Sequence, residues 1–419
     1  MATQPDSEDD SEAADVKWSR ALNQFGLQLS RCHGRGICVA RRFEPGNVLL
    51  KARPVAAVVA QGSSRCHHCV CMSAQLKRCG HCGHARYCSA GCQKAAWASH
   101  RNECRVLQRT MPHVPGTSML LLARLLDLAH ADASANTVEA AAWPSSIGAT
   151  LCLSSHLDKL SPTRAQEFAA QAAMLRGLLA EAQPERPAPP PELATRLLAT
   201  LACNGHTLSD DELQPFGLGL YPLAALTNHD CSPSAVHCFE GMTLVLRALR
   251  PLDPGEAVTI GYVDLAQPLV VRRRELANQY AFHCACERCV SEQSMAPHEA
   301  RLLEQASAAF AAARSEVLAA IDAQQWAEAL TAARSSTHLA PRLVPPGTAA
   351  LGLDWLRLAK LLAHAGQIDE AVDAWQRARR VLAVTHGESA QLVRTLDADL
   401  ADAMMARGLH EEATPEDLD

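Results

Sequence analysis

Apolar residues along this chain follow two alternating rhythms. From residue 26 to 60 they come as short β-branched runs, 37–40 and 48–50, separated by Glu44-Pro45-Gly46-Asn47. That pattern predicts two strands joined through a tight turn. Residues 61–105 then lose most aliphatics and fill with Cys and His, so metal must supply the cohesion that a core cannot. Helical spacing governs residues 106–200, with Leu120, Leu121, Leu125 and Leu128 on one stripe, and a proline-rich break at 184–191 interrupts it. Strand character returns over 215–262, where 243–246 and 257–260 flank a second turn, Asp253-Pro254-Gly255. One β domain split by two insertions is therefore predicted.

Beyond residue 293 the pattern is helical and rich in alanine. Leu392, Leu396, Leu400 and Met404 repeat every four residues up to Gly408, where a helix stop is predicted. Gly366 and Ala378 have the spacing of the close-packing positions in a tetratricopeptide helix pair, and Glu328-Ala329-Leu330 echoes Glu370-Ala371-Val372. Two or three irregular helix pairs with a concave surface are expected. At the other end, residues 1–19 open with six acids, Asp6, Glu8, Asp9, Asp10, Glu12 and Asp15, and read as a disordered acidic tail.

A length of 419 residues suffices for two or three domains that each bury a core, so disulfides are not needed for stability. The 17 cysteines fall mostly in closely spaced pairs beside His, Lys and Arg, which reads as zinc in an intracellular chain. A net charge of -6 argues against a protein that coats nucleic acid. Arg124 and Asp127 break the longest apolar run too early for a membrane span. The tract Arg272 to Arg274 reads as the solvated face of a helix.

The ladder Cys66-x2-Cys69, Cys79-x2-Cys82, Cys88-x3-Cys92 and His100-x3-Cys104 supplies eight ligands for two closed tetrahedral zinc sites. Alternate pairs are expected to share a metal: Cys66, Cys69, Cys88 and Cys92 on one ion, Cys79, Cys82, His100 and Cys104 on the other. A lone thiol, Cys231, followed some fifty residues later by Cys284-x-Cys286-x2-Cys289, makes a third site.

The finger residues Tyr87-Cys88-Ser89, Gln93, Trp97 and His100 resemble the MYND zinc finger. Asn228-His229-Asp230-Cys231 and the terminal cysteine cluster resemble the SET-domain lysine methyltransferases. Gly34-Arg35-Gly36, Cys203-Asn204, the glycine-rich stretch 217–222, the segment 256–262 and Val384-Thr385-His386-Gly387 appear in the order of the SET and MYND domain (SMYD) family. The resemblance implies an α+β fold: a split SET β-fold (20–60 and 201–265) with an inserted MYND finger (61–105), a helical insert (106–200), a post-SET zinc cluster (266–292) and a C-terminal all-α TPR-like helical domain (293–419). It also implies methyl transfer from S-adenosyl-L-methionine to a protein lysine, in the cytoplasm and nucleus, by a monomer.

By the same resemblance Tyr262 and Tyr280 are the catalytic tyrosines. Phe282 packs on the cofactor's adenine, Asn228 and His229 contact the cofactor partly through backbone, and Asn204 lies near both cofactor and lysine. Gln93 and Trp97 match positions that bind proline-rich partner peptides; as a purely structural residue, Trp97 would only cap the finger's small core. The family's basic residue before the first glycine is replaced, leaving His33 and Arg35 as candidates for the cofactor carboxylate, and Arg35, permanently charged, is the stronger. Asp230, Ser234 and His206 also depart from the family pattern. Those departures motivate an alternative reading, a zinc-dependent interaction scaffold or transcriptional regulator with weak turnover.

Overall fold

The computed structural model describes residues 8–31, 34–134 and 144–412. Strands contributed before residue 60 pair with strands contributed after residue 204, so the β-fold is split as the pattern predicts. One sheet orders Leu27–Ser30, Gly36–Val39, Ala257–Ile260 and Asn228–His229. A second orders Ala235–Glu240, Thr243–Ala248 and Val48–Ala52, and a third orders Ala56–Val59, Pro215–Leu220 and Gly205–Ser209. Strands Thr243–Ala248 and Ala257–Ile260, which flank one turn in sequence, thus lie in different sheets. Gly46 (φ +81°) and Gly255 (φ +92°) hold left-handed backbone at the two predicted turns, where a Cβ would be strained. Among the described residues all strand pairings are antiparallel except one: Thr259 faces Asn228 and Ile260 faces His229 in parallel.

The finger contributes a two-stranded ribbon, Lys77–Arg78 with Arg86–Tyr87, and the helix Ala90–Thr110. Ser89 caps that helix by accepting from the Cys92 N–H at 3.1 Å. It carries the ligands Cys92, His100 and Cys104 and runs on past them, so finger and insert are mechanically continuous. Helices Thr117–Ser134, Ile147–Leu151, Pro162–Ala182 and Pro191–Asn204 form the insert. The last two begin with proline, whose fixed φ suits a first turn.

Three expectations are corrected. The acidic tail is helical over Glu8–Asn23, because Ala14, Trp18, Ala21 and Leu22, spaced as one helical face, are buried, with Trp18 fully so. Of the acids, Glu12 is exposed and Asp15 is half-buried; residues 1–7 lie outside the described residues. The final helix runs Gln391–Glu412 and Gly408 does not stop it, since one interior glycine costs a helix only about 1 kcal/mol. Arg272, read as solvated, is completely buried.

The C-terminal helices are Pro297–Asp322, Trp326–Leu343, Ala349–His364, Ile368–His386 and Gln391–Glu412. Gly366 (φ +74°) makes the turn between two of them and Ala378 is fully buried, the roles their spacing implied. The segment Val384-Thr385-His386-Gly387 docks this array on the second sheet. Thr385 is buried and its carbonyl accepts from the Cys238 thiol at 3.4 Å. Gly387 (φ +94°) lies so close to Arg247 that a Cβ there would stand 2.5 Å from the guanidinium. No helix among the described residues is long and apolar enough to cross a membrane.

Candidate active site

The parallel pairing of Asn228–His229 with Ala257–Ile260 sets the site, because it brings residue 229 against the end of the strand that carries Tyr262. His229 Nδ1 accepts from the Tyr262 backbone N–H at 3.0 Å, and its Nε2 lies 3.3 Å from Cys231 Sγ. With Nδ1 accepting, Nε2 carries the proton and donates to that sulfur. Burial keeps this imidazole neutral, its pKa pushed down to about 4. One ring therefore ties Cys231, a member of the third ligand set, to the backbone of Tyr262.

Tyr262 donates from its hydroxyl to the Thr227 carbonyl at 2.5 Å, and its ring lies 4.6 Å from that of Tyr280. The Tyr280 hydroxyl donates to the Tyr262 carbonyl at 3.4 Å. Burial pushes the Tyr280 phenol up to about 12 and Tyr262 higher still, so both remain protonated and neither serves as a phenolate base near neutrality. Phe282 closes the cluster, its ring 6.1 Å from His229 and 6.5 Å from Tyr262. A cavity of about 200 Å³ opens beside the tyrosines, bordered by Asn204, His206, Thr227, His237, Tyr262 and Tyr280 among others.

The three predicted ligand sets assemble as expected: Cys66, Cys69, Cys88 and Cys92; Cys79, Cys82, His100 and Cys104; Cys231, Cys284, Cys286 and Cys289. Within each set all ligand atoms lie within 4.8 Å of one another. Contacts such as Cys79–Cys104 at 3.9 Å, Cys82–His100 at 3.6 Å and Cys231–Cys289 at 3.5 Å match the edge of about 3.8 Å expected for a zinc–thiolate tetrahedron. The donor sets fit three zinc ions.

Two supporting arginines escaped the sequence reading. His100 Nδ1 bonds the Glu103 carboxylate at 3.1 Å, and Arg124 grips the same oxygen at 2.6 Å. Burial alone would raise Glu103, but Arg124 and His100 hold it down at about 2. Arg272 plays the equivalent part at the third site, with Nη2 3.8 Å from Cys289 Sγ and 2.8 Å from Glu292. Its positive charge offsets the excess negative charge of four thiolates on one divalent ion. The His-x2-Glu spacing could have flagged Glu103; nothing local could have flagged Arg124, which arrives from the insert.

The MYND finger family model matches residues 66–104, which begin and end on predicted ligands. Histone-lysine N-methyltransferase SMYD3 of Mus musculus is 32% identical over 262 residues, 62% of this chain and 60% of the relative. Histone-lysine N-methyltransferase Smyd1 of Mus musculus is 26% identical over 90% of this chain and 89% of its own length. N-lysine methyltransferase SMYD2 of Mus musculus is 31% identical over 65% and 62%. Over about three fifths of its length the chain is similar to these SET and MYND domain methyltransferases. It spans about three fifths of the length of the first curated relatives that it matches. A solved SET domain of LSMT bound to lysine and AdoHcy aligns at 13% identity over 96% of this chain and 93% of its own, with a TM-score of 0.35, a level that decides nothing.

The remaining candidates fall as follows. Gly36 backs directly onto Asn228, where any Cβ would stand 2.4 Å from the amide, so the second glycine of Gly34-Arg35-Gly36 is needed for close approach. Arg35 donates to the Cys152 carbonyl at 2.6 Å and lies 4.0 Å from Asp15, which also pairs with Arg31. Its guanidinium is thus partly engaged by protein groups. His33 lies outside the described residues. Asn204 ends the helix Pro191–Asn204 and spends its amide on the carbonyls of Ser154 and Thr200, both at 2.8 Å. In the finger, Gln93 and Trp97 lie one helical turn apart, and Trp97 is 42% exposed with its ring 6.2 Å from His100.

Proposed function

We propose that this protein transfers methyl groups from S-adenosyl-L-methionine to the ε-amine of lysine in a protein substrate, histone or non-histone. The observation that carries the reading is the Tyr262–Tyr280 pair at 4.6 Å on the rim of a cavity, held in place through His229 by a zinc-ligand thiolate. Lysine must arrive or become neutral to act as a nucleophile. Its ordinary pKa is about 10.4, and a desolvated cavity disfavours the ammonium. Tyr262, donating to Thr227, keeps oxygen lone pairs that can accept weak contacts from a polarised methyl. Fixed alignment supplies much of the remaining acceleration.

Asn228 and His229 would hold the cofactor largely through backbone, Phe282 would pack on its adenine, Asn204 would border cofactor and lysine, and Arg35, with His33, would face its carboxylate. When bound, the cofactor supplies the methyl on a sulfonium. We place the protein in the cytoplasm and nucleus as a monomer, with Gln93 and the exposed Trp97 presenting a surface for proline-rich peptides. The scaffold reading draws on one observation, the engagement of Arg35 by Cys152 and Asp15, which would weaken cofactor binding.

Incubation with labelled cofactor and a cell extract tests the proposal. Wild type should label protein lysines, and Tyr262→Phe should lower transfer about a hundredfold, the scale of a misplaced reacting group. Equal labelling by both, or none by either, counts against methyl transfer.

A further inference from the structure

The cavity beside the two tyrosines has a wall that the proposed chemistry leaves unused. His206, on the strand Gly205–Ser209, and His237, on the strand Ala235–Glu240, both border it. Their ring centroids are 5.5 Å apart and their planes nearly perpendicular at 86°. His206 is wedged edge-on against Tyr221 at 5.6 Å, and His237 against Phe239 at 5.8 Å, so both rings are fixed by packing. His206 Nδ1 is sealed from solvent without a hydrogen-bond partner. The cavity is the space that both rings share.

Burial, reinforced for His206 by its neighbour His237, pushes His206 down to about 3, and burial pushes His237 down to about 4. Both rings are therefore uncharged near neutrality, and each offers one N–H and one bare lone pair. Filling the cavity with hydrocarbon alone would desolvate those lone pairs without compensation. A nitrogen that carries hydrogen satisfies them. A quaternary nitrogen cannot.

We propose that the His206–His237 pair accepts a hydrogen bond from the substrate amine and so makes the cavity select a nitrogen that still bears hydrogen. Each methyl transfer replaces one N–H by a methyl, so this wall holds the reaction to lower methylation states. The identity of the amine rests on the lysine-methylation reading; the preference for N–H belongs to the cavity itself.

The test uses full-length protein labelled with heavy nitrogen in its histidines, titrated with n-butylammonium and with butyltrimethylammonium, which share a charge and differ in N–H. The first should bind about tenfold more tightly, the scale of one hydrogen bond to a charged donor, and should shift the ring-nitrogen resonances of both histidines. His206→Phe, which keeps a ring against Tyr221, and His237→Leu should each lose the preference while circular dichroism and zinc content stay unchanged. Equal affinities of wild type for the two ions, or a preference surviving in both variants, would overturn the assignment. In a parallel assay with labelled cofactor and cell extract, both variants should accumulate more trimethyllysine than wild type, and equal yields would also overturn it. Transfer absent from every sample while the amine preference persists would retire the methyltransferase reading and uphold the selectivity of the cavity.

Discussion

Glu103 sits one helical turn beyond the ligand His100 and is shared between that imidazole and Arg124, with both partners and the carboxylate removed from water. A carboxylate behind a metal-bound histidine fixes the ring and raises its basicity toward the metal. Glu103→Gln should therefore lower zinc affinity at the Cys79, Cys82, His100 and Cys104 site by about 10- to 100-fold in a chelator competition. The all-cysteine site beside it should compete as in wild type. An unchanged competition curve would show that Glu103 serves packing alone. At the same scale, Arg35, whose charge suggests a cofactor contact, has the Cys152 carbonyl as a hydrogen-bond partner in the fold.

At the scale of elements, two junctions carry more than their own stability. Gly387 ends the helix Ile368–His386 with left-handed backbone and lies against Arg247, which also donates to the Gly46 carbonyl at 3.0 Å. Gly387→Ala adds strain and a clash at one point, and should cost about 1–3 kcal/mol in urea unfolding. If the stability is unchanged, the helical array does not depend on that contact. The second junction is the post-SET cluster, where Cys284, Cys286 and Cys289 reach back to Cys231 beside His229. Cys284→Ala should lower the zinc content from three ions to two and reduce methyl transfer, while the finger keeps its metals. Loss of all three ions on elemental analysis would reveal coupled sites.

Across the whole molecule, the helices from Pro297 onward contain no ligand set or tyrosine of the active site, yet they pack on the second sheet through Thr385 and Gly387. We propose that they shape access and choose substrates. Removing residues 297–419 should change which proteins are labelled, or expose aggregation, with cofactor binding retained in calorimetric titration. A soluble, folded truncation that no longer binds cofactor would place part of the site in those helices. The cost of the deletion is legible in burial: Cys238 and Arg247, which Thr385 and Gly387 cover on the second sheet, would be uncovered.

The amino-acid order alone determined what short spacings impose. Gaps of one to three residues between Cys and His, with the lone Cys231 ahead of the terminal cluster, point to the twelve zinc ligands, because a metal tetrahedron tolerates few loop lengths. Turn glycines and apolar periodicity likewise located the split β-fold and the helical array. Tertiary structure alone decided the partnerships across insertions. The parallel pairing of Asn228–His229 with Ala257–Ile260, the reach of Arg124 to Glu103, the burial of Arg272 and the facing of His206 on His237 all join residues from separate elements. The helix holding Trp18 belongs with them, since its acids are visible locally while the surface that buries its tryptophan is not. Desolvation supplies the physical reason: whether a charged or polar side chain is solvated or buried depends on what packs over it, and no local pattern records that neighbour.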